Sequence, residues 1–331
     1  MEKVISTIIT GVAVLFLLIS LCVLCINYLP SSWVIELDVL TGNQILRLCM
    51  IPFSLVGVLA LMIGRKWILT GFGGAILFLF TIEALYYLPD SVENNDIELD
   101  PNFTVRVMTF NGANRSFQSS LDWIRKNPVD ILCLQEVPSM AGERIFEQFA
   151  ELGYQYDWRW LRNNQSARIA ILVRGQLENS KMLEAPSMGR SKRRALAVDA
   201  IVNGRRFRVF CHHLESPLLR GKFEGIYVRA SLREQQAAFY AEEIDKTKGM
   251  PVIVAGDFNA TPTNRTIRPL RKILDDSWLQ GGNKLGGTWK RNRPYFRIDA
   301  VLHRGFTGSA NCQRIPIGES DHLAYLVDLI L

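Results

Sequence analysis

Three apolar stretches crowd into the first ninety residues and divide what this chain can fold into. The first runs from about Val4 to Leu29, the second from Ile45 to Gly64 and the third from Trp67 to Leu88. Each is close to the roughly 20 residues needed to cross the hydrocarbon core of a bilayer. A cleaved signal peptide fits the first stretch poorly. Its apolar run is too long, no small-residue cleavage site follows, and two more stretches come after it. A buried helical hairpin in a soluble protein fits poorly too, because the runs exceed the soluble-core range. The expectation is a membrane anchor of three transmembrane helices over residues 1–89, a linker over 90–102 and a separate domain over 103–331.

Lysine and arginine near the span ends set orientation. Lys3 precedes the first span, and Arg65 with Lys66 links the second to the third. Pro30 to Asn43 carries Glu36 and Asp38 but no basic residue, and Pro89 to Asp100 carries only acids. This places the amino terminus in the cytoplasm and the large domain outside it. Arg47 argues weakly the other way, and Glu83 falls near the outer end of the third span, within reach of the interface. Charge divides along the same line. Up to Asp100 there are 4 Lys/Arg against 9 Asp/Glu; beyond it there are 34 against 23, a balance of +11. A basic domain suits a phosphate-bearing substrate or an anionic lipid surface, and equally a solvated, charge-rich exterior.

Six cysteines make no disulfide framework. Cys22, Cys25 and Cys49 lie in apolar runs, Cys133 and Cys211 lie in strand-like runs where Cys acts as a small hydrophobe, and Cys312 has no evident partner. Cys22 and Cys25 have CxxC spacing without a βαβ pattern around them.

Beyond the linker, alternation and β-branching predict strands at Val105–Phe110, Asp130–Leu134, Ala167–Val173, Pro251–Ala255, Arg297–Leu302 and Leu323–Leu329. Arg194–Val202 and Arg205–His212 flank Asn203-Gly204, the strongest short hairpin signal. Helices are expected at Phe117–Lys126, Ala141–Leu152 and Arg229–Lys246. Strands punctuated by long helices favour a β-sandwich flanked by helices.

Polar groups cluster at the ends of these runs, where loops set functional groups on a rigid frame. Asn111 follows Val-Met-Thr-Phe; Gln135-Glu136 follows Ile-Leu-Cys-Leu; His213 closes Phe-Cys-His-His-Leu; Asp257-Phe-Asn259 follows Val-Ile-Val-Ala-Gly. Asp299 lies in Arg-Ile-Asp, and Ser320-Asp321-His322 precedes the last strand. Singly, each has an ordinary explanation as a cap, a turn residue or a core histidine. Glu136 is more pointed, because a carboxylate at the end of an apolar strand needs a partner or a metal.

As an ordered set these residues resemble the endonuclease/exonuclease/phosphatase (deoxyribonuclease I-like) superfamily. The matching pieces are Thr-Phe-Asn111, Leu-Gln-Glu136, His213-Leu-Glu-Ser, Gly-Asp257-Phe-Asn259, Thr288-Trp289, Arg297-Ile-Asp299 and Ser-Asp321-His322, with Arg233 and Gln236 as an Arg-x-x-Gln helix motif. The likeness covers about Val105 to the end. It implies a four-layer α/β/β/α sandwich, here an α/β domain preceded by a transmembrane helical anchor, and dependence on Mg²⁺ or Mn²⁺. It also implies Glu136, Asn111 and Asp321 as metal ligands. Asp257 and Asn259 would position water and the transferring phosphoryl group, and Asp299 would orient His322. His213 would donate to a phosphoryl oxygen, with Arg233 and Arg297 on the substrate. Leu218 to Glu224 does not resemble the DNA-gripping loop of abasic-site endonucleases. Asn259-Ala-Thr and Phe296-Arg-Ile-Asp depart from the inositol-phosphatase hallmarks. Gly189–Arg194, with Arg190, Lys192, Arg193 and Arg194, suits lipid head groups, substrate phosphate, or a solvated lead-in to a strand.

The function expected is a membrane-anchored, divalent-metal-dependent phosphodiesterase or pyrophosphatase acting on a membrane-associated, lipid-linked phosphate. A DNA or RNA nuclease is the alternative favoured by basic excess. A non-catalytic binding module would show decay at the motif positions, all of which are intact.

Overall fold

The computed structural model describes residues 2–25, 44–86, 99–115, 117–138, 144–160, 167–187, 193–216, 226–247, 249–283, 285–292, 294 and 296–331. The expectations for Pro30–Asn43, most of the linker, Leu218–Glu224, Arg190 and Lys192 lie outside the described residues, as does the side chain of Glu83. The chain forms two compact units: Met1–Leu88 with the short segment Thr261–Arg265, and Pro89–Ala260 with Thr266–Leu331.

The first unit contains α1 (Glu2–Cys25), α2 (Gln44–Ile63) and α3 (Trp67–Tyr86). Small groups let these helices approach. Ser54 Oγ donates to Ser20 Oγ at 2.9 Å, and a Cβ on Gly73 would lie 2.9 Å from the Leu17 side chain. Among the described residues one helix, Lys3–Cys25, is long and apolar enough to cross a membrane. The apolar parts described for the second and third stretches, Cys49–Ile63 and Trp67–Ile82, are shorter.

The second unit is built of two six-stranded sheets. Sheet one contains β1 (Thr104–Asn111), β2 (Ile131–Pro138), β3 (Gln155–Trp160), β4 (Ala167–Val173), β11 (Gly308–Ile315) and β12 (Ala324–Ile330), in the order β11-β12-β1-β2-β4-β3. Sheet two contains β5 (Gln176–Glu184), β6 (Arg194–Val202), β7 (Arg205–His213), β8 (Val252–Asp257), β9 (Asp275–Asp276) and β10 (Asp299–Arg304), in the order β5-β6-β7-β8-β10-β9. Side-chain alternation decides the layers. Val105 and Val107 of β1 and Ile131 and Cys133 of β2 face the second sheet, meeting Val198, Val209 and Ile253. Met108, Phe110, Leu132 and Leu134 face outward under α4 (Gln118–Lys126) and α5 (Arg144–Glu151), through Leu121, Ile124, Phe146 and Phe149. The far face of sheet two packs under α6 (Ile226–Asp245) and α7 (Arg268–Arg271), through Ala237, Tyr240, Ile244 and Leu270. The result is the four-layer α/β/β/α sandwich.

Two parallel pairs position the site. β1 and β2 pair in parallel across α4, and β7 and β8 across α6. Parallel neighbours need such crossovers, and the crossovers bring the carboxyl ends of both strands to one edge.

Candidate active site

Register carries each polar motif to that edge. In sheet one Asn111 pairs with Gln135, so Glu136 follows just beyond. β12 runs antiparallel to β1 with Tyr325 opposite Thr109, which returns the segment before it to the end of β1. There Ser320 Oγ donates to the Asn111 carbonyl at 2.6 Å and accepts the His322 amide at 3.0 Å. In sheet two Asp257 lies opposite both His213 of β7 and Asp299 of β10.

The side chains form one connected network. Asn111 Nδ2 donates to Asp257 Oδ2 at 2.9 Å, and the Asn259 amide donates to Asp257 Oδ1 at 2.8 Å. His213 Nε2 lies 3.4 Å from Asp257 Oδ2 and 3.7 Å from Glu136 Oε1. His322 Nδ1 bonds Asp299 Oδ2 at 2.8 Å, and its Nε2 lies 4.0 Å from Asp321 Oδ1. Asp321 is exposed and accepts the Trp289 indole N–H at 3.1 Å. Glu136 and Asn259 hold φ of 51° and 49°. Left-handed backbone at non-glycine residues is uncommon and costs about 1–3 kcal/mol, and it gathers at functional sites. Here it turns both side chains off the ends of β2 and β8.

Electrostatics separate the roles. Burial pushes the Asp257 carboxyl up to about 7, and the Asp299 charge adds to this against the charge of His322 and the Asn259 and Asn111 donors. Burial opposes a charged His322 ring, but the charge and hydrogen bond of Asp299 outweigh it, and the ring holds its proton up to about 10. At neutral pH His322 is therefore a cation among carboxylates, and Asp257 is the group that exchanges a proton readily.

Ligand atoms of Asp257, Asp299 and His322 lie within 4.8 Å of one another, a spacing that would hold a metal ion. A ring that keeps its proton has no lone pair for a cation on that nitrogen, so we read this trio as proton-handling. Glu136, Asn111 and Asp321 offer hard oxygens, the donors that Mg²⁺ and Mn²⁺ take. The Glu136 side chain is 24% exposed and so open to an ion. These residues fit a divalent metal.

The two arginines expected on substrate are turned elsewhere. Both Nη atoms of Arg297 close on Asp276 at 2.9 and 2.8 Å in a fully buried pair. Arg233 is buried as well, and its Nη1 donates to the Asn259 carbonyl, fixing the loop that carries Asn259. Arg297 and Arg233 therefore shape the frame and do not reach outward.

Two residues of motifs named from the sequence, without a role of their own there, belong to the site. Thr288 Oγ1 accepts the amides of Ile298 and Asp299 at 3.2 and 3.1 Å, while its carbonyl accepts the Leu323 amide at 2.7 Å. It thereby ties Asp299 of one sheet to the strand end carrying His322 in the other. Arg193, within the basic Gly189–Arg194 run, is buried against His213, Glu136 and Glu215. Consecutive basic residues in the run gave no sign that Arg193 turns inward.

The model of the Endonuclease/Exonuclease/phosphatase family matches residues 108–322. The chain belongs to this family. The matched stretch begins in β1, ends at His322, and includes every site residue named above. Solved structures share the fold. TDP2 from Caenorhabditis elegans superposes with a TM-score of 0.55 at 21% identity, over 69% of this chain and 75% of that one. An endonuclease/exonuclease/phosphatase from Bacteroides vulgatus gives 0.54 at 19%, over 69% and 99%. The human Nocturnin catalytic domain with bound sulfate anion gives 0.53 at 21%, over 70% and 96%. No curated protein matches the chain in sequence.

Proposed function

We propose that the chain is a divalent-metal-dependent phosphohydrolase, a phosphodiesterase or pyrophosphatase, acting on a membrane-associated phosphate substrate. The observation that carries this reading is the convergence of the Asp299–His322 pair and buried Asp257 on one sheet edge with the oxygens of Glu136 and Asn111. Glu136, Asn111 and Asp321 would hold the metal, which when bound neutralises charge on the phosphoryl oxygens. Asp257, with its carboxyl near neutrality, takes the proton of the attacking water, and Asn259 holds the loop that aims it. His322, charged and fixed by Asp299, faces the charge that develops on the phosphoryl group, and His213 donates beside it. Arg233 and Arg297 support this geometry from behind.

The three apolar stretches of the amino-terminal part support a membrane location with three spans, and the lysine and arginine bias supports an extracytoplasmic catalytic domain. Lipid-linked phosphate is then the substrate within reach. The nuclease reading is favoured by the excess of basic residues after Asp100.

One assay separates these. The full chain in detergent, with Mg²⁺, is tested against lipid pyrophosphates, phospholipids and plasmid DNA. Phosphate release from a lipid supports the reading, whereas plasmid nicking alone replaces it with the nuclease. Absence of turnover on all three overturns both. A reporter fused after Leu331 that works only in the cytoplasm would overturn the orientation.

A further inference from the structure

Glu215 sits just past His213 and is almost wholly buried, its side chain 3% exposed. Two guanidinium groups share its one carboxylate. Arg229 Nη1 meets Oε1 at 2.6 Å, and Arg193 Nε lies 3.5 Å from Oε2. The Glu215 amide is held in turn by the Gln236 side chain at 2.9 Å. Arg193 then reaches the reaction centre: its Nη1 lies 3.0 and 2.9 Å from the two ring nitrogens of His213 and 3.8 Å from Glu136 Oε1. The order of contacts is Asp257, His213, Arg193, Glu215, Arg229.

Arg193 is flanked by two carboxylates, Glu215 and Glu136, whereas Arg229 meets Glu215. Glu136 is too far from Arg193 for a hydrogen bond and is the metal ligand of the reading above. The Arg193 side chain is only 5% exposed and is held between these two carboxylates, so it links the reaction centre to the more open Arg229 through Glu215. Arg229 is held by Glu215 alone among the described residues, and its side chain is 23% exposed. Guanidinium forks match phosphate oxygens in geometry and charge.

We propose that Arg193 and Arg229, clamped on Glu215, form a subsite for a second phosphoryl group of the substrate, next to the one that is attacked. The inference rests on the phosphohydrolase reading and narrows its substrate class to molecules with two neighbouring phosphates, as in a pyrophosphate-linked compound or successive phosphates of a polynucleotide. Arg193 serves the inner phosphate and Arg229 the outer one. A substrate with one phosphate leaves Arg229 idle.

The test is calorimetric binding to the full chain in detergent, with chelator present so that no metal bridges ligand and protein. The ligands are inorganic pyrophosphate, inorganic phosphate and malonate. Pyrophosphate should bind more tightly than phosphate, and Arg229→Gln should weaken pyrophosphate by about 10- to 100-fold, the loss of a charge-assisted hydrogen bond, with phosphate changed much less. Arg229→Lys should recover part of the loss. Arg205→Gln, which removes an exposed charge elsewhere, should change neither ligand. Equal pyrophosphate affinity for wild type and Arg229→Gln would overturn the subsite, as would malonate binding as tightly as pyrophosphate. Mg²⁺-dependent hydrolysis of bis-p-nitrophenyl phosphate by the wild type is scored separately. Its absence contradicts the hydrolase reading, while the binding result still decides the subsite. If the subsite holds, KM for a pyrophosphate-linked lipid exceeds wild type in Arg229→Gln by more than kcat falls, and plasmid DNA in its place identifies the polynucleotide source.

Discussion

His322 Nδ1 lies 2.8 Å from Asp299 Oδ2, although Asp299 opens a strand of one sheet and His322 precedes a strand of the other. The pair thus reports whether the two sheets are in register at the active edge. His322→Ala should slow kcat by at least the ~10²–10⁴-fold typical of general acid–base groups. Asp299→Asn should slow it equally or less, and the double variant should be little worse than His322→Ala, since groups acting as one unit are not additive. With Asp299 neutral, burial draws the ring's pKa down from about 10, so the alkaline limb of the pH–rate profile should move to lower pH. Multiplicative losses with an unmoved profile would show that the two residues act independently.

Asp257 should cost the fold stability. Its carboxyl takes a proton at about 7 when folded, raised by burial and then by Asp299, against about 3.9 in an unfolded chain. The folded state therefore loses stability as pH rises from about 4 through 7 and does not regain it above. Asp257→Asn should abolish turnover yet raise the melting temperature at pH 8 by roughly 2–4 °C or more, with the gain shrinking towards pH 4. Thermal unfolding at both pH values checks this; a variant less stable at pH 8 than wild type would contradict it.

Thr288→Val keeps volume but leaves the amides of Ile298 and Asp299 without their acceptor. Buried donors so stranded cost about 1–3 kcal/mol. We expect a matching fall in unfolding free energy and a lower kcat with KM little changed, because Asp299 loses its anchor. Denaturant unfolding and steady-state kinetics on the same preparation decide it, and wild-type values in both would remove Thr288 from the supporting frame.

His212 is a different histidine from its neighbour. It lies on the opposite face of β7, its ring 4.3 Å from Tyr240, and burial holds its pKa down to about 3. An unfolded chain binds this proton near 6.5, so the folded state loses stability as pH falls below 6.5 towards 3. His212→Phe, packed against Tyr240 and Phe258, should lose less between pH 7.5 and 4.5 than the wild type does. Parallel melting curves for the two proteins would contradict this.

The eight interior strands were legible from apolar runs and alternation, and Ala167–Val173 and the Asn203-Gly204 hairpin fell where expected. β3, β5, β9 and β11 were not, and these are the four sheet edges. An edge strand keeps one side wet, so Gln176–Glu184 reads as polar and Gln155–Trp160 mixes charge with half-exposed aromatics. The site was legible where residues follow a strand, because a strand end fixes where its next side chain goes. The surroundings of Arg193 and Arg297 were not legible for the converse reason. Each carries a charge whose partner, Glu215 or Asp276, lies about 20 residues away in sequence and next to it only in the fold.

The most direct measurement is Mg²⁺-dependent hydrolysis by the full chain in detergent, comparing wild type, Glu136→Gln and a chelated control, with Mn²⁺ binding followed by calorimetry on both proteins. Glu136→Gln removes one carboxylate charge at the end of β2 and leaves the frame intact. The wild type should turn over with Mg²⁺ or Mn²⁺ and stop on chelation. Glu136→Gln should lose metal affinity by at least about tenfold and most of its turnover at moderate metal concentration. Hydrolysis that persists under chelation, or a Glu136→Gln protein with wild-type metal affinity and rate, would contradict metal-dependent chemistry at this edge.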